Sequence, residues 1–250
     1  VEPGQSQSAL GSESRKLILL RHGQTTYNAT GRMQGQMDTD LSATGEAQAA
    51  AVAGFFAGGP VVSDSGVDAG ADSGASTVGT GRTHAITRII ASDLKRAYDT
   101  AGAVGDLLGL DVAKDTRLRE TLLGEWQGMS HTEVDVEFPG ARYRWRHDPE
   151  WAPPGGESRV AVAERMRSVV DELIATHVDW PGSTTMLVAH GGSIAALTAS
   201  LTGVPLSHFF LFNGLRNTAW VELSTSIRPD GTLGWNLDAF NAELTPTPVR

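Results

Sequence analysis

Two short apolar runs, far apart in the chain, end in the same way. Lys16–Leu20 leads into Arg21-His22-Gly23, and Thr184–Ala189 leads into His190-Gly191-Gly192. A short uninterrupted apolar run closed by glycine reads as a buried strand with a loop at its carboxyl end. Strands buried on both faces belong to sheets covered by helices, and ligands of such sheets bind beyond the strands' carboxyl ends. An Arg-His pair at one strand end is as readily an ordinary strand edge as a site. A single buried histidine is usually a hydrogen-bonded core residue. Two at equivalent strand ends point to one site that both face.

The rest of the pattern alternates between strand and helix. Ser42 can cap a helix running to about Phe56, and Thr83–Ala91 reads as the second strand. Ser92 or Asp93 then caps a helix to about Leu108, with Leu94, Ala97, Ala101, Val104 and Leu108 on one face and Gly109 as its stop. Asp111–Ala113 is a short third strand. Ser158–Thr176 is a helix, and another follows His190 to about Thr202. Asn217–Ser224 and Gly231–Phe240 read as a hairpin around Pro229-Asp230-Gly231. This alternation predicts an α/β fold: a three-layer, doubly wound sandwich with a mostly parallel central sheet and an antiparallel edge. Residues 15–250 are expected to form one domain. Residues 1–14 are expected to be a flexible tail. A stretch at about 58–82, rich in Gly, Ser, Ala, Val and Asp, is expected to be a mobile insertion. A segment at about 115–156, rich in Trp, Arg, Glu and Pro, is expected to cap one side of the sheet.

Composition removes several function classes. The formal net charge of −9 disfavours a general nucleic-acid binder, and any anion site must build its own local positive field. With no cysteine, disulfides, thiolate catalysis and cysteine-ligated zinc are excluded. No apolar run approaches a membrane span, so no membrane partner is expected, and Val1–Ser14 has no signal-type apolar core. A cytoplasmic location is the resulting expectation. There is no His-Glu-x-x-His pair and no Gly-Lys-Ser/Thr phosphate loop. Gly191-Gly192-Ser193-Ile194-Ala195 approaches a serine-hydrolase elbow, but its last Gly is missing. The one later histidine, His208, has no Asp between it and Ser193.

Four stretches could carry chemistry. Arg21-His22-Gly23 offers a planar cation, an imidazole and a close backbone approach. Ser92-Asp93-Leu94-Lys95-Arg96-Ala97 puts Arg96 in a first helical turn, where anions are favoured. Ala189-His190-Gly191-Gly192 repeats the first. Arg117-Leu118-Arg119-Glu120, followed by Gly124-Glu125-Trp126-Gln127-Gly128, offers a carboxyl near aromatic groups, which could act as an acid or simply pair with Arg117 or Arg119.

Taken in order, these motifs resemble the histidine phosphatase superfamily, also called phosphoglycerate-mutase-like. The resemblance is carried by Leu20-Arg21-His22-Gly23-Gln24-Thr25 with Asn28, Leu41–Ala49, Ser92–Ala101, Leu118-Arg119-Glu120 and Ala189–Gly192, over residues 16 to 200. It implies that His22 is phosphorylated in turnover, that Arg21, Arg96 and His190 surround the phosphoryl group with Asn28 beside them, and that Glu120 donates a proton. It implies no metal and no cofactor. Arg21 and Arg96 would keep His22 neutral, and His190 would donate to the transferring group. Gln34, Gly35 and Gly191 join Arg21, Asn28, Arg96 and His190 as expected substrate contacts.

Cofactor-dependent mutases of this superfamily commonly show a Thr-Gly-Trp step after the nucleophile. Here Gln34 stands for the Thr and Gln36 for the Trp, which favours a phosphatase. Three stretches also resemble actinobacterial glucosyl-3-phosphoglycerate phosphatases: Arg32–Gln36, Leu118–Thr121 with Gly124–Gly128, and Trp151–Arg159. That resemblance implies a phosphorylated sugar-acid substrate. The alternatives are a broad-specificity phosphatase, a phosphoglycerate mutase, and a non-catalytic binding module for phosphorylated ligands. Trp126, Trp145 and Trp151 could stack on a sugar or form the core of the cap. Relatives are often dimers, so a homodimer is a further expectation.

Overall fold

The computed structural model describes residues 14–58, 85–212 and 214–244. The expected tail and insertion lie almost wholly outside the described residues. The elements are β1 (Lys16–Arg21), α1 (Thr26–Ala29), α2 (Ala43–Phe56), β2 (Ile86–Ala91), α3 (Lys95–Leu108) and β3 (Val112–Lys114), then α4 (His131–Glu137), α5 (Ala141–His147), α6 (Arg159–Thr176), β4 (Thr184–Ala189), α7 (Gly191–Leu201), β5 (Trp220–Ile227) and β6 (Leu233–Ala242). The six strands form one sheet in the order β3-β2-β4-β1-β5-β6. β1 to β4 run parallel, and β5 joins β1 antiparallel as the first strand of the terminal hairpin.

The period-2 alternation of side chains divides the core into two layers. Leu17, Leu19, Leu187 and Ala189 pack on Val162, Met166 and Val170 of α6 and Ile194 and Leu197 of α7. Ile18, Leu20, Met186 and Val188 pack on Val52 of α2 and Ala97, Ala101 and Val104 of α3. Every residue of β4 is buried, as befits a strand covered on both faces. The three-layer sandwich expected from the sequence is therefore the fold observed.

Neither Ser92 nor Asp93 caps α3; the cap position is Leu94, with no side-chain bond to the helix. The Ser92 hydroxyl lies against His190 and the Asp93 carboxylate accepts from Arg119, so both candidates are engaged elsewhere. The loop after β1 contains α1, closed by a capping box between Thr25 and Asn28. A 3₁₀ turn at Leu206–Leu211 was not anticipated. In the cap, Trp126 is fully buried with Met33, Leu123 and Val134, and Trp145 and Trp151 pack against them. Trp126 therefore offers no face to a sugar.

Candidate active site

The site follows from strand register. β1 and β4 are parallel neighbours with Arg21 opposite Ala189, so His22 and His190 leave the sheet side by side. The His22 N–H donates to the Ala189 carbonyl at 3.1 Å, and the two imidazole centroids are 5.1 Å apart. The two His-Gly strand ends are thus neighbours, and His22, Gly191 and Gly192 line one cavity.

His22 Nδ1 is 2.6 Å from the Gly23 carbonyl oxygen. A carbonyl only accepts, so Nδ1 carries the proton and Nε2 keeps its lone pair. Burial first, then the guanidinium groups of Arg21 and Arg96, hold the His22 pKa well below its ordinary value. The ring is therefore neutral near pH 7 with a free nitrogen. Gly23 is required here: a Cβ would lie 2.5 Å from the Gly45 carbonyl oxygen.

His190 is fully buried, with Nε2 2.9 Å from the Ser92 hydroxyl. Burial and the neighbouring Arg96, His22 and Arg21 push its pKa well down too. It is not among the residues lining the open cavity, although Gly191 is.

Two arginines flank His22. Arg21 is tied to the Leu215 carbonyl. Arg96, buried on the first turn of α3, donates to the carbonyls of Met37 at 2.7 Å and Gly35 at 2.9 Å. Burial lowers the Arg96 pKa to about 10, which leaves it charged at neutral pH. The Gly35 backbone has φ +55°, a left-handed conformation that suits glycine. Arg21 Nε, Arg96 Nε and His190 Nδ1 are buried without a hydrogen-bond partner. Unpaired buried polar atoms are unfavourable, and an anion at this point would satisfy N–H donors among them.

Glu120 stands opposite, where α7 begins. Its Oε1 accepts from the N–H groups of Thr121 (2.8 Å) and Ser193 (2.9 Å), and its Oε2 from Gly192 (3.0 Å). The positive end of a helix is a favourable place for a carboxylate. A Cβ on Gly192 would meet Glu120 Oε1 at 2.7 Å, so the glycine makes room for this contact. The ion pair with Arg117 or Arg119 does not form: Arg117 binds Asp115 and Glu172, and Arg119 binds Asp93.

Asn28, Gln34, Gly35 and Gly191 line the same cavity of about 690 Å³ as Arg21, His22, Arg96 and Glu120. Asn28 Oδ1 accepts from Thr25 N–H and hydroxyl at 3.1 Å each. Gln34 Oε1 accepts from the Thr39 hydroxyl at 2.6 Å. Sequence reasoning missed the supports. Ser92 orients His190. Asn217 donates to the His22 carbonyl at 3.1 Å. Arg165 donates to the carbonyls of Arg117, Arg119 and Glu120 and pairs with Glu157.

Comparison with known proteins gives the family. The family model of the histidine phosphatase superfamily, branch 1, matches residues 17–65 and 73–238. The chain belongs to this superfamily. Among relatives of this histidine phosphatase, a glucosyl-3-phosphoglycerate phosphatase of Mycolicibacterium vanbaalenii is 47% identical over 238 residues, spanning 91% of this chain and 95% of the relative. Another, from Mycobacterium tuberculosis, is 44% identical over 237 residues, 92% of this chain and 95% of the relative. The solved structure of mycobacterial glucosyl-3-phosphoglycerate phosphatase with VO3 is 43% identical, with a TM-score of 0.77 over 92% of this chain and all (100%) of that one. No described helix of this histidine phosphatase is long and apolar enough to cross a membrane.

Proposed function

We propose that this histidine phosphatase is a metal-independent phosphomonoester hydrolase that works through a phosphohistidine on His22, with glucosyl-3-phosphoglycerate as its substrate. The observation that carries the reading is a neutral His22 with a free Nε2, held between the half-buried Arg21 and the buried Arg96 and facing Glu120 across one cavity. The substrate follows from the relatives named above, which match this chain along nearly their whole length.

In the first step His22 Nε2 forms a bond to phosphorus as the bond from phosphorus to the ester oxygen breaks. Glu120 delivers a proton to the departing alkoxide, releasing the alcohol. Arg21 and Arg96 stabilise the equatorial phosphoryl oxygens, and each charge-assisted hydrogen bond is worth about 1.5–3 kcal/mol. His190 donates to the transferring group. In the second step a water attacks phosphohistidine, the P–N bond breaks, and the water proton passes to the Glu120 carboxylate. Phosphate leaves and the cycle closes. Proton transfer of this kind contributes typically about 10²–10⁴-fold.

Gln34 and Gln36, in place of the Thr and Trp of mutases, support hydrolysis over return of the phosphoryl group to substrate. A panel of phosphorylated metabolites with a mutase assay tests the reading. The glucosylated ester is expected to exceed 3-phosphoglycerate in kcat/KM; equality would leave a broad-specificity phosphatase, and phosphoryl return would make the enzyme a mutase. Binding without turnover would identify a non-catalytic module. A homodimer and a cytoplasmic location complete the proposal, read by analytical ultracentrifugation and cell fractionation.

A further inference from the structure

The segment that carries Glu120 has no regular structure of its own. Residues 119–123 lie between the 3₁₀ turns Thr116–Leu118 and Gly124–Trp126 and belong to no helix or strand. Backbone carbonyls shielded from water need donors, which in a sheet come from the next strand. Here they come from one side chain. Arg165 on α6 donates from Nη1 to the carbonyls of Arg117 and Arg119, at 2.7 Å each, and from Nη2 to the carbonyl of Glu120 at 2.9 Å. Its remaining N–H groups, on Nε and Nη2, go to the Glu157 carboxylate at 2.9 Å each. All five donors of the guanidinium are thus committed, three of them to backbone at or beside Glu120.

Glu157 grips the same segment from its other end. Its Oε2 accepts from the Leu122 N–H at 2.8 Å, and its own N–H donates to the Leu122 carbonyl at 2.8 Å. Gly156 allows this approach, since a Cβ there would lie 2.5 Å from the Leu122 carbonyl oxygen. Gln36 adds one more bond, from Nε2 to the Glu120 carbonyl at 3.0 Å. Its neighbours Gly35 and Met37 are the residues whose carbonyls hold Arg96. The side chains of Arg165 and Glu157 are only 19% and 24% exposed, so solvent screens the pair little. Neither residue lines the cavity.

We propose that Arg165, anchored by Glu157, is a positioning residue for proton transfer: it fixes the backbone at Glu120 and so sets the reach of the Glu120 carboxyl to the ester oxygen. The inference rests on the reading of Glu120 as proton donor. Lysine is no substitute, because an ammonium offers three donors at one point and lacks the planar fork. A shift of about 1 Å in a reacting group can slow a reaction about a hundredfold, so a residue outside the cavity can control the rate.

The test measures Arg165→Lys, Glu157→Gln, Glu120→Gln and the double variant Arg165→Lys with Glu120→Gln on two esters. One is glucosyl-3-phosphoglycerate, whose alkoxide needs a proton; the other is para-nitrophenyl phosphate, whose phenolate leaves unaided. The aryl ester reports phosphorylation of His22, and the size of its burst in the variants counts competent sites, which separates a folding loss from a catalytic one. Per competent site, Arg165→Lys should lower kcat on the alkyl ester by about tenfold to a hundredfold, with KM nearly constant and the aryl burst rate close to wild type. Glu157→Gln should show the same pattern more weakly. The double variant should be no slower on the alkyl ester than Glu120→Gln alone, because both changes remove one function. Equal losses on both esters, or losses that multiply in the double variant, would overturn the proposal and leave Glu120 as the proton donor. Full turnover of the alkyl ester by Glu120→Gln would overturn the proton-donor reading, and the proposal with it.

Discussion

Replacing Glu120 with Gln separates the two tasks assigned to that side chain. The carboxylate has three backbone N–H donors, two on Oε1 and one on Oε2, at 2.8 to 3.0 Å. A carboxamide keeps one acceptor oxygen, so at best two of the three bonds survive, and its amide group must face the remaining N–H. Loss of one hydrogen bond to a charged acceptor costs about 1.5–3 kcal/mol. For a domain of this size that lowers the melting temperature on the order of 3–12 °C. Proton transfer is removed as well, which should slow hydrolysis of an alkyl phosphate by about 10²–10⁴-fold. An activated aryl phosphate, whose phenolate leaves unaided, provides the control. Phosphorylation of His22 should then survive the substitution, while hydrolysis of phosphohistidine, which needs the carboxylate as base, should lag. Stopped-flow mixing of Glu120→Gln with aryl phosphate should show a burst of phenolate approaching one per site, followed by a slow phase. A variant that loses equal activity on both esters, with no burst, would refute the assignment of Glu120 to proton transfer.

Two further outcomes follow from the geometry. Gly192→Ala places a methyl group 2.7 Å from Glu120 Oε1, so the carboxylate must move although no reacting group is altered; kcat on alkyl phosphates should fall at least tenfold, by the roughly 1.4 kcal/mol per decade that misplacing an acid entails, and steady-state kinetics on the purified variant checks this. His22 and His190 are both held neutral in the folded state, so the unfolded chain binds more protons as pH falls below the ordinary histidine value. Stability should therefore decline with falling pH from about 6.5 downward, by up to about 1.4 kcal/mol per pH unit for each histidine. Urea unfolding at a series of pH values measures the slope, and His22→Ala should reduce it.

The sheet, its two covering layers and the position of the site were legible because they depend on local pattern. Apolar runs ending in His-Gly mark β1 and β4 without reference to any partner. The register that makes those two strands neighbours is longer-range, yet covering both faces of the sheet constrains it strongly. What escaped were side chains whose partners lie far along the chain. Ser92 and Asp93 are good cap residues by local rules, but His190 is 98 residues from Ser92 and Arg119 is 26 residues from Asp93. Those contacts override the cap. Arg165 reads in the sequence as a polar position on an amphipathic helix. Its binding of three successive-loop carbonyls near Glu120 has no sequence signal, because backbone acceptors look alike. The pairing of Glu120 with Arg117 or Arg119 fails because those arginines bind other carboxylates, and Glu120 meets the start of α7 instead.

If His22 Nε2 carries the phosphoryl group between substrate and water, a phosphohistidine accumulates on it during turnover. Acid-labile, base-stable labelling measures this directly: the enzyme is quenched with base during turnover of a phosphate ester labelled with ³²P, digested and mapped by mass spectrometry. The label should appear on the peptide containing His22, be released by acid, and be absent from His22→Ala, which should show no turnover. Label on another residue, or turnover that persists in His22→Ala, would rule out phosphoryl transfer through His22.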